Sequence, residues 1–243
     1  MIVKEKLSKS ILSPSQVYPY TINPYTGCQH NCTYCYARFM LRYSGHQEPW
    51  GQFVDVKINA PELLLREITR KHPGRVWISG VCDPYQPVEA KYRLTRQCLQ
   101  ILAQNGWPVS VQTRSPLVTR DIDVLQQGDG FEVGLSITTA DDAVRRLFEP
   151  SAPSIASRLK ALEELHQAGI RTFVMIAPIL PGAGDLAPLL AGITDHVILD
   201  RMNYHYADWV YRKYGLLDQL TDETFSRTEK TLQADFARLG ISF

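Results

Sequence analysis

The chain has 243 residues, of which 44% are hydrophobic and 21% are charged, so it can bury one substantial core. Its formal net charge is +1, and its acidic and basic residues are interspersed. The chain therefore lacks the block of like charges that is typical of a segment tethering a protein to nucleic acid or a membrane. No apolar stretch is long enough for a membrane span, and the first ten residues lack the apolar core of a signal peptide. We therefore expect a cytoplasmic protein.

Short β-branched runs alternate along the chain with amphipathic stretches, separated by Gly, Pro or Asn. Six runs are predicted to be strands: 20–23, 76–82, 109–113, 131–138, 172–179 and 196–203. Five helices are predicted between or after them: 34–43, 92–105, 120–127, 155–168 and 186–193. Ser154 is expected to cap one of these helices, and Gly106 and Gly169 to follow the ends of two. The alternation predicts an α/β fold with a parallel sheet.

Two further segments complete the predicted organisation. Residues 53–59 and 61–71 are expected to form one strand and one helix between the first two units, and residues 221–239 a closing amphipathic helix. No internal repeat or Pro-rich linker justifies a division of the chain. We predict a single domain over residues 1–243, with a lead-in at 1–19 and a closing segment at about 204–243.

Three of the five cysteines, Cys28, Cys32 and Cys35, fall within eight residues as C-x3-C-x2-C, directly after the first predicted strand. An odd cysteine count with this clustering favours a metal site in a reducing compartment over a disulfide framework. Three thiolates on one loop can bind three irons of a cubane and leave the fourth iron open for substrate chemistry. A zinc site with His30 as fourth ligand is the alternative, while an electron-transfer ferredoxin would usually supply a fourth cysteine.

The cysteine spacing, with Tyr34 immediately before the third cysteine, resembles the signature of the radical S-adenosylmethionine (SAM) superfamily. The resemblance implies a 4Fe-4S cluster whose open iron is chelated by SAM, and an electron donor such as flavodoxin or ferredoxin. In that family the electron breaks the sulfonium C–S bond, and the resulting 5'-deoxyadenosyl radical abstracts hydrogen from a substrate. It also implies a partial (β/α)6 TIM-like barrel with parallel strands.

Further short motifs in the sequence resemble those of the superfamily branch that includes spore photoproduct lyase and shorter relatives. They are NPYTGC, CYAR, GVCDPYQPVE, RLTRQCL, LSITT, FEP and IAPILPG, and they extend from about Ser10 to Ile241. Fold and cofactor carry over more safely than the reaction, so two alternatives stay open. One is a DNA photoproduct (thymine dimer) lyase, and the other is a non-catalytic, metal-stabilised nucleic-acid-binding module.

The charge pattern gives no indication of nucleic-acid binding. The closing segment has only a few basic residues, interleaved with Asp and Glu: Arg212, Lys213, Arg227, Lys230 and Arg238. A DNA lyase needs a surface that grips phosphates, which this pattern does not supply. We therefore expect a small molecule, a peptide or a modified nucleotide as substrate.

The resemblance assigns roles around the cluster motif and the second strand. Tyr34 is expected to pack against the SAM adenine, and Tyr36 to return hydrogen to SAM, although Tyr36 could equally pack the first helix onto the barrel. If Asp83, placed among the cofactor-binding residues, anchors the alignment, the family's hydrogen-donating cysteine falls at Val81. Cys82, one residue later, is expected to face the opposite side of the strand and is kept as a catalytic candidate.

The later strands supply the other expected SAM contacts. Arg114 matches a family lysine on the SAM carboxylate, and an arginine could form that contact bidentately. Ser136 matches a SAM-contacting serine, and Thr138 is expected on the same strand face. Ile179 ends the segment expected to bracket adenine. The competing explanation for Ser136 and Thr138 is that they are buried hydroxyl groups whose hydrogen bonds are made within the protein, as is usual for such groups.

Five further positions are interpreted more conservatively. Glu149 and Arg158 also recur in the family pattern, but a salt bridge that fastens a loop to the following helix explains them equally well, so both stay outside the predicted site. Asn203, Tyr204 and His205 follow the sixth strand and could line the substrate end of the barrel.

Overall fold

The structure is a computed structural model that describes residues 1–243. Its strands are β1 (Ile2–Lys6), β2 (Leu12–Pro14), β3 (Tyr20–Ile22), β4 (Tyr25–Thr26), β5 (Phe53–Lys57), β6 (Val76–Ile78), β7 (Val109–Thr113), β8 (Glu132–Ser136), β9 (Arg171–Ile176) and β10 (His196–Leu199). Its α-helices are α1 (Leu41–Ser44), α2 (Ala60–Ile68), α3 (Glu89–Tyr92), α4 (Leu94–Gln104), α5 (Ile122–Leu125), α6 (Asp142–Phe148), α7 (Ile155–Gln167), α8 (Ala187–Leu190), α9 (Asp208–Lys213) and α10 (Asp222–Arg238). Short 3-10 segments cover Tyr36–Met40, Pro116–Asp121, Ala183–Asp185, His205–Ala207 and Leu217–Gln219.

Seven strands form the main sheet in the order β10-β9-β8-β7-β6-β3-β2. Six of them pair in parallel and in chain order, and only β2 is antiparallel, on the outer side of β3. Helices in the connections cover the sheet, so central strands such as β8 are buried along their whole length. The predicted parallel α/β sheet of six units, an open partial barrel, is confirmed.

The predicted helix ends follow the expected local chemistry. The Ser154 hydroxyl accepts a hydrogen bond from the Ser157 backbone N–H at 3.2 Å and caps α7. Gly169 follows that helix with a φ of +76°, the left-handed conformation that glycine adopts without cost. The closing helix predicted at 221–239 is α10, capped by Thr221.

Apart from β7, which ends at Thr113 as predicted, the parallel strands of the main sheet end earlier at their carboxyl ends than the sequence predicts. The strand predicted at 76–82 ends at Ile78, and the one predicted at 196–203 ends at Leu199. Beyond these ends the backbone no longer follows the regular strand pairing. The Ile179 N–H, for example, donates to the Asp200 carbonyl, and both residues lie after the ends of their strands. The predicted helix at 34–43 is also shorter, a 3-10 segment and one α-turn that ends at Gly45. These turns bring loop residues together at one edge of the sheet.

The strand predicted at 53–59 exists as β5, but it belongs to a separate side sheet, β1-β5-β4. Within the predicted lead-in, β1 pairs in parallel with β5, while β4 pairs antiparallel through Tyr25 with Val56 and Thr26 with Asp55. The sequence did not predict β1 or β4, because β1 is largely exposed and polar and β4 has only two residues. Since β4 directly precedes the first motif cysteine, the side sheet fixes where that loop begins.

No helix is long and apolar enough to cross a bilayer.

Candidate active site

A cavity of about 560 Å³ opens at the carboxyl ends of β6, β7, β9 and β10. All three motif cysteines, Cys28, Cys32 and Cys35, line it from the loop after β4. Parallel α/β sheets place ligands at this edge, where loops from several strands meet. The cysteines therefore lie where the fold offers a site.

The loop that carries the cysteines is held on both sides by hydrogen bonds from other loops. The Gln86 amide donates to the Gly27 carbonyl at 3.1 Å, and its oxygen accepts from the Gln29 N–H at 3.0 Å. On the other side, the Thr33 N–H donates to the Phe148 carbonyl at 2.8 Å. These contacts fix the loop backbone before any ligand binds.

The three cysteines are free thiols. Burial raises the pKa of Cys28 well above its usual range, that of Cys32 to about 12, and that of Cys35 as well. The thiols are therefore neutral in the protein alone, whereas bound iron would hold them as thiolates. No three His, Cys, Asp or Glu side chains converge as a single-ion site requires. A cubane instead takes each thiolate on a different iron.

Glu149 is the centre of a buried polar network next to the cavity. Its carboxylate accepts hydrogen bonds from the Tyr34 hydroxyl and the Arg158 guanidinium. It also accepts from the Arg114 Nε at 3.2 Å and the Thr138 hydroxyl at 3.1 Å. Burial works to raise the pKa of Glu149, but Arg158 and Arg114 outweigh it and lower the pKa to about 2. The ionised carboxylate orients Tyr34 and Arg114 where they line the cavity.

Asp83 is a second buried carboxylate, and protein donors occupy both of its oxygens. Oδ1 accepts from the Thr113 hydroxyl at 2.6 Å and the Tyr85 N–H at 2.9 Å, and Oδ2 accepts from the Arg114 N–H at 2.7 Å. His30 Nε2 lies 3.2 Å from Oδ2, an ion-pair distance, but off the line of a hydrogen bond. Burial alone would raise the pKa of Asp83, yet His30 and these donors lower it to about 2. Asp83 thus joins the ends of β6 and β7 to the cysteine loop.

Val81 and Cys82 both line the cavity. The expectation that they face opposite sides of a strand was wrong, because β6 ends at Ile78 and strand alternation does not apply beyond it. Cys82 Sγ lies 3.0 Å from the Ser79 hydroxyl, which donates its own proton to Asn23 Oδ1 at 2.6 Å. The Cys82 S–H is therefore the donor to Ser79, and burial raises its pKa to about 11.

Tyrosines form a stacked row at the cavity mouth. The Tyr36 hydroxyl donates to the Gly80 carbonyl, and its ring stacks against Tyr204 with centroids 6.4 Å apart. Tyr204 in turn stacks on Tyr206 at 5.6 Å with an interplanar angle of 7°. These rings are 38% to 50% exposed, so one face of the row is open to solvent. Asn203 also lines the cavity.

The sequence model of the radical SAM superfamily matches residues 22–186, more than half of the chain and all of the cysteine loop. The chain belongs to the radical SAM superfamily. An uncharacterized protein of Methanocaldococcus jannaschii is 38% identical over 188 residues, which cover 76% of this chain and 70% of that protein. An uncharacterized protein of Mycobacterium tuberculosis is 31% identical over 193 residues. The alignment covers 76% of this chain but only 56% of the mycobacterial protein.

Among solved structures, spore photoproduct lyase complexed with dinucleoside spore photoproduct superposes on this radical SAM chain with a TM-score of 0.75. The superposition covers 99% of this chain and 81% of the lyase at 17% sequence identity. At that identity the likeness concerns the fold. The predicted partial TIM-like barrel of the radical SAM fold is thereby confirmed.

Most of the sequence-predicted site residues of this radical SAM chain meet at the cavity: Cys28, Cys32, Tyr34, Cys35, Tyr36, Cys82, Asp83 and Arg114. Ser136, Thr138 and Ile179 do not line it. Ser136 is fully buried and accepts a hydrogen bond from Gln112, which itself lines the cavity. Ile179 packs in the main core, and Ala177 and Pro178 line the cavity in its place. His205 is 95% exposed beside Asp208.

Three further residues of the site were not predicted. For Glu149 the sequence predicted only the salt bridge with Arg158, which the structure contains. Its other partners, Tyr34, Arg114 and Thr138, come from elements distant in sequence. Gln86 lies in the word GVCDPYQPVE, yet only the fold shows that it holds the cysteine loop. Trp50 lines the cavity with a buried indole nitrogen that has no hydrogen-bond partner. The three free thiols and this unpaired donor fit a sulfur-containing cluster.

Proposed function

We propose that this chain is a radical SAM enzyme, a single radical SAM domain over residues 1–243 in which Cys28, Cys32 and Cys35 hold a 4Fe-4S cluster. The observation that carries the proposal is the convergence of three free thiols from one loop on a cavity at the carboxyl edge of a parallel sheet. When bound, the cluster supplies an electron, from a donor of the flavodoxin or ferredoxin class, that cleaves SAM to a 5'-deoxyadenosyl radical.

The polar network around Glu149 supports a SAM site in the same cavity. Arg114 uses Nε on Glu149 and Nη2 on the Tyr34 hydroxyl, so its Nη1 is available for the SAM carboxylate. The Tyr34 hydroxyl is occupied by Glu149, which leaves the ring of Tyr34 as the surface for adenine. Ser136, Thr138 and Ile179 then act on SAM only through the residues they support.

Cys82 and Tyr36 are proposed to donate or return hydrogen atoms during the reaction. Cys82 lines the cavity as a neutral thiol hydrogen-bonded to Ser79, which is the protonation state that a hydrogen-atom donor needs. Tyr36 lies at the mouth, where its hydroxyl donates to the Gly80 carbonyl, so the phenol is also protonated. Both groups can pass a hydrogen without a prior change of charge.

The substrate is proposed to be a small molecule, a peptide or a modified nucleotide rather than a DNA lesion. Some basic side chains near the mouth and tail pair within the protein: Arg201 lies 3.5 Å from Asp222, and Arg238 pairs with Asp235. The guanidinium of Arg38 stacks over the Tyr206 ring at 4.7 Å and donates to backbone carbonyls. The near-neutral charge balance of the chain supplies no clear phosphate-binding stripe, although DNA binding depends on phosphate contacts.

A DNA photoproduct lyase is the second candidate, because the tyrosine row offers the stacking surface on which unpaired bases bind. An anaerobic turnover assay with thymine-dimer oligonucleotides separates the two, following both dimer loss and 5'-deoxyadenosine. We expect little or no dimer repair and some uncoupled SAM cleavage. Repair over many turnovers, dependent on SAM and lost in Cys32→Ala, would instead identify the lyase.

The proposed cluster is tested by anaerobic purification and metal analysis. We expect a brown protein with iron and sulfide and an absorption shoulder that changes when SAM is added. Stoichiometric zinc without iron would contradict the enzyme and favour a metal-stabilised binding module.

A further inference from the structure

Trp50 is a buried donor without an acceptor at the cavity that the three motif cysteines line. Its side chain is only 7% exposed, and Nε1 makes no hydrogen bond in the protein. Leaving a buried donor unsatisfied is costly, so native proteins keep few such groups. The indole N–H is available for a group that binds in the cavity.

The chain holds Trp50 between the side sheet and the cysteine loop. Gly51 has a φ of +95°, and a Cβ there would lie 2.2 Å from the Asn31 side-chain oxygen, so only glycine lets the Trp50 turn approach the loop. The Trp50 ring packs edge-to-face on Phe53, with centroids 5.9 Å apart and planes at 87°. Both neighbours are rigid elements, and the indole is therefore fixed before a ligand arrives.

The indole of Trp50 lies beside two of the three motif cysteines. Trp50 and Cys28 belong to one buried apolar cluster, and Cys35 packs against it. All three cysteines line the same cavity as Trp50. An N–H donor beside a sulfur ligand favours negative charge on that sulfur.

Building on the proposed function, we propose that the Trp50 Nε1–H donates a hydrogen bond to a sulfur of the bound cluster on the side of Cys28 and Cys35, and thereby raises the reduction potential of the cluster. Reduction by a flavodoxin- or ferredoxin-class donor transfers one electron to the cluster, with no bond made or broken. Because the reduced cluster is more negative, an N–H donor at sulfur stabilises it more than the oxidised cluster. Trp50 is in this role a positioning and tuning residue, not a catalytic one.

The test compares Trp50→Phe with Trp107→Phe, which removes an indole from the main core beside Tyr20. Wild type and both variants are loaded anaerobically, iron and sulfide are measured, and the reduction potential is determined by titration followed by EPR. We expect Trp50→Phe to lower the equilibrium constant for reduction about tenfold, which is about 59 mV for a one-electron couple, and Trp107→Phe to leave it unchanged. A fully loaded Trp50→Phe with the wild-type potential would overturn the inference.

A second measurement covers the case in which Trp50→Phe does not fold or hold its cluster. ENDOR spectroscopy on reduced wild type with 15N-indole tryptophan should show a nitrogen coupling to the cluster, and Trp77→Phe should retain it even though Trp77 also lines the cavity. A loaded wild type without that coupling would sink the inference alone. Wild type that assembles no cluster would contradict the proposed function instead.

Discussion

At the residue scale, the three cysteines of the motif differ from Cys98 in what surrounds them. Cys28, Cys32 and Cys35 come from one loop and line one cavity, whereas Cys98 is fully buried in α4 and packs in the main core. A buried cysteine of that kind behaves as a small apolar side chain. Cysteine is therefore proposed as a cluster ligand in the loop, and it packs the core in α4.

Replacing Cys28, Cys32 or Cys35 with alanine should abolish cluster assembly, because each replacement leaves one iron without its thiolate. Iron and sulfide analysis after anaerobic loading measures this loss. Cys98→Ala is the matched control and should load normally, with at most a modest loss of stability. A normal SAM-cleaving cluster in any of the three motif variants would refute the ligand assignment.

Glu149→Gln should destabilise the fold by about 3 to 5 kcal/mol, because it leaves the buried Arg158 guanidinium without its counter-charge. Chemical denaturation measures the effect, and Glu163→Gln on the exposed side of α7 is the control. Since the folded-state pKa of Glu149 is lowered from 4.5 to about 2, its stabilising contribution is complete above pH 4.5 and is lost as the pH falls toward 2. The stability gap between wild type and Glu149→Gln should therefore narrow below pH 4.5, and a constant gap would contradict this role.

Residue types and spacing predicted that the three motif cysteines lie together, because all three are on one short segment. The role of Glu149 was not predictable in the same way, since its partners Tyr34, Arg114, Thr138 and Arg158 are distributed over 125 positions of sequence and meet only in the fold. The orphan N–H of Trp50 is likewise a property of burial, which a single sequence does not specify.

At the element scale, the side sheet determines the shape of the cysteine loop. Gly27 has a φ of +90°, and a Cβ there would lie 2.3 Å from the Phe53 carbonyl oxygen of β5. The obstacle is backbone in a paired strand, so it cannot move aside. The loop and the side sheet consequently fit only through glycine at this position.

Gly27→Ala should lower stability and cluster loading far more than Gly45→Ala. Both glycines have positive φ, which costs a non-glycine residue about 1 to 2 kcal/mol, but a Cβ at Gly45 meets nothing within 4 Å. The clash at Gly27 should add at least about 2 kcal/mol. Denaturant titration and iron content measure both effects, and equal losses in the two variants would show that the contact with β5 does not matter.

Sequence periodicity predicted all six parallel strands but extended several of them into the site. In buried parallel strands and in the loops that follow them the same apolar and small polar residues occur, so the pattern has no break at the strand end. Val81 and Cys82 illustrate the consequence, because an assumed strand put them on opposite faces and the actual loop puts both at the cavity. The hydrogen bonds that end a strand depend on neighbours distant in sequence.

At the scale of the whole molecule, an open sheet of six parallel strands gathers its ligand-bearing loops at one edge, and the side sheet fixes the cysteine loop there. A near-neutral charge balance, in which Arg201 and Arg238 pair with carboxylates, favours a substrate recognised inside or at the rim of the cavity. Fold class and family were predictable from the sequence, since both depend on local patterns. Substrate identity depends on the shape of the mouth, which is built from segments distant in sequence.

The formation of 5'-deoxyadenosine tests the central claim most directly. Anaerobically loaded wild type, reduced and given SAM without any other substrate, should release 5'-deoxyadenosine, and Cys32→Ala treated identically should not. Intact SAM in the presence of wild-type protein, after cluster loading and reduction had both been verified, would contradict the assignment of this chain as a radical SAM enzyme.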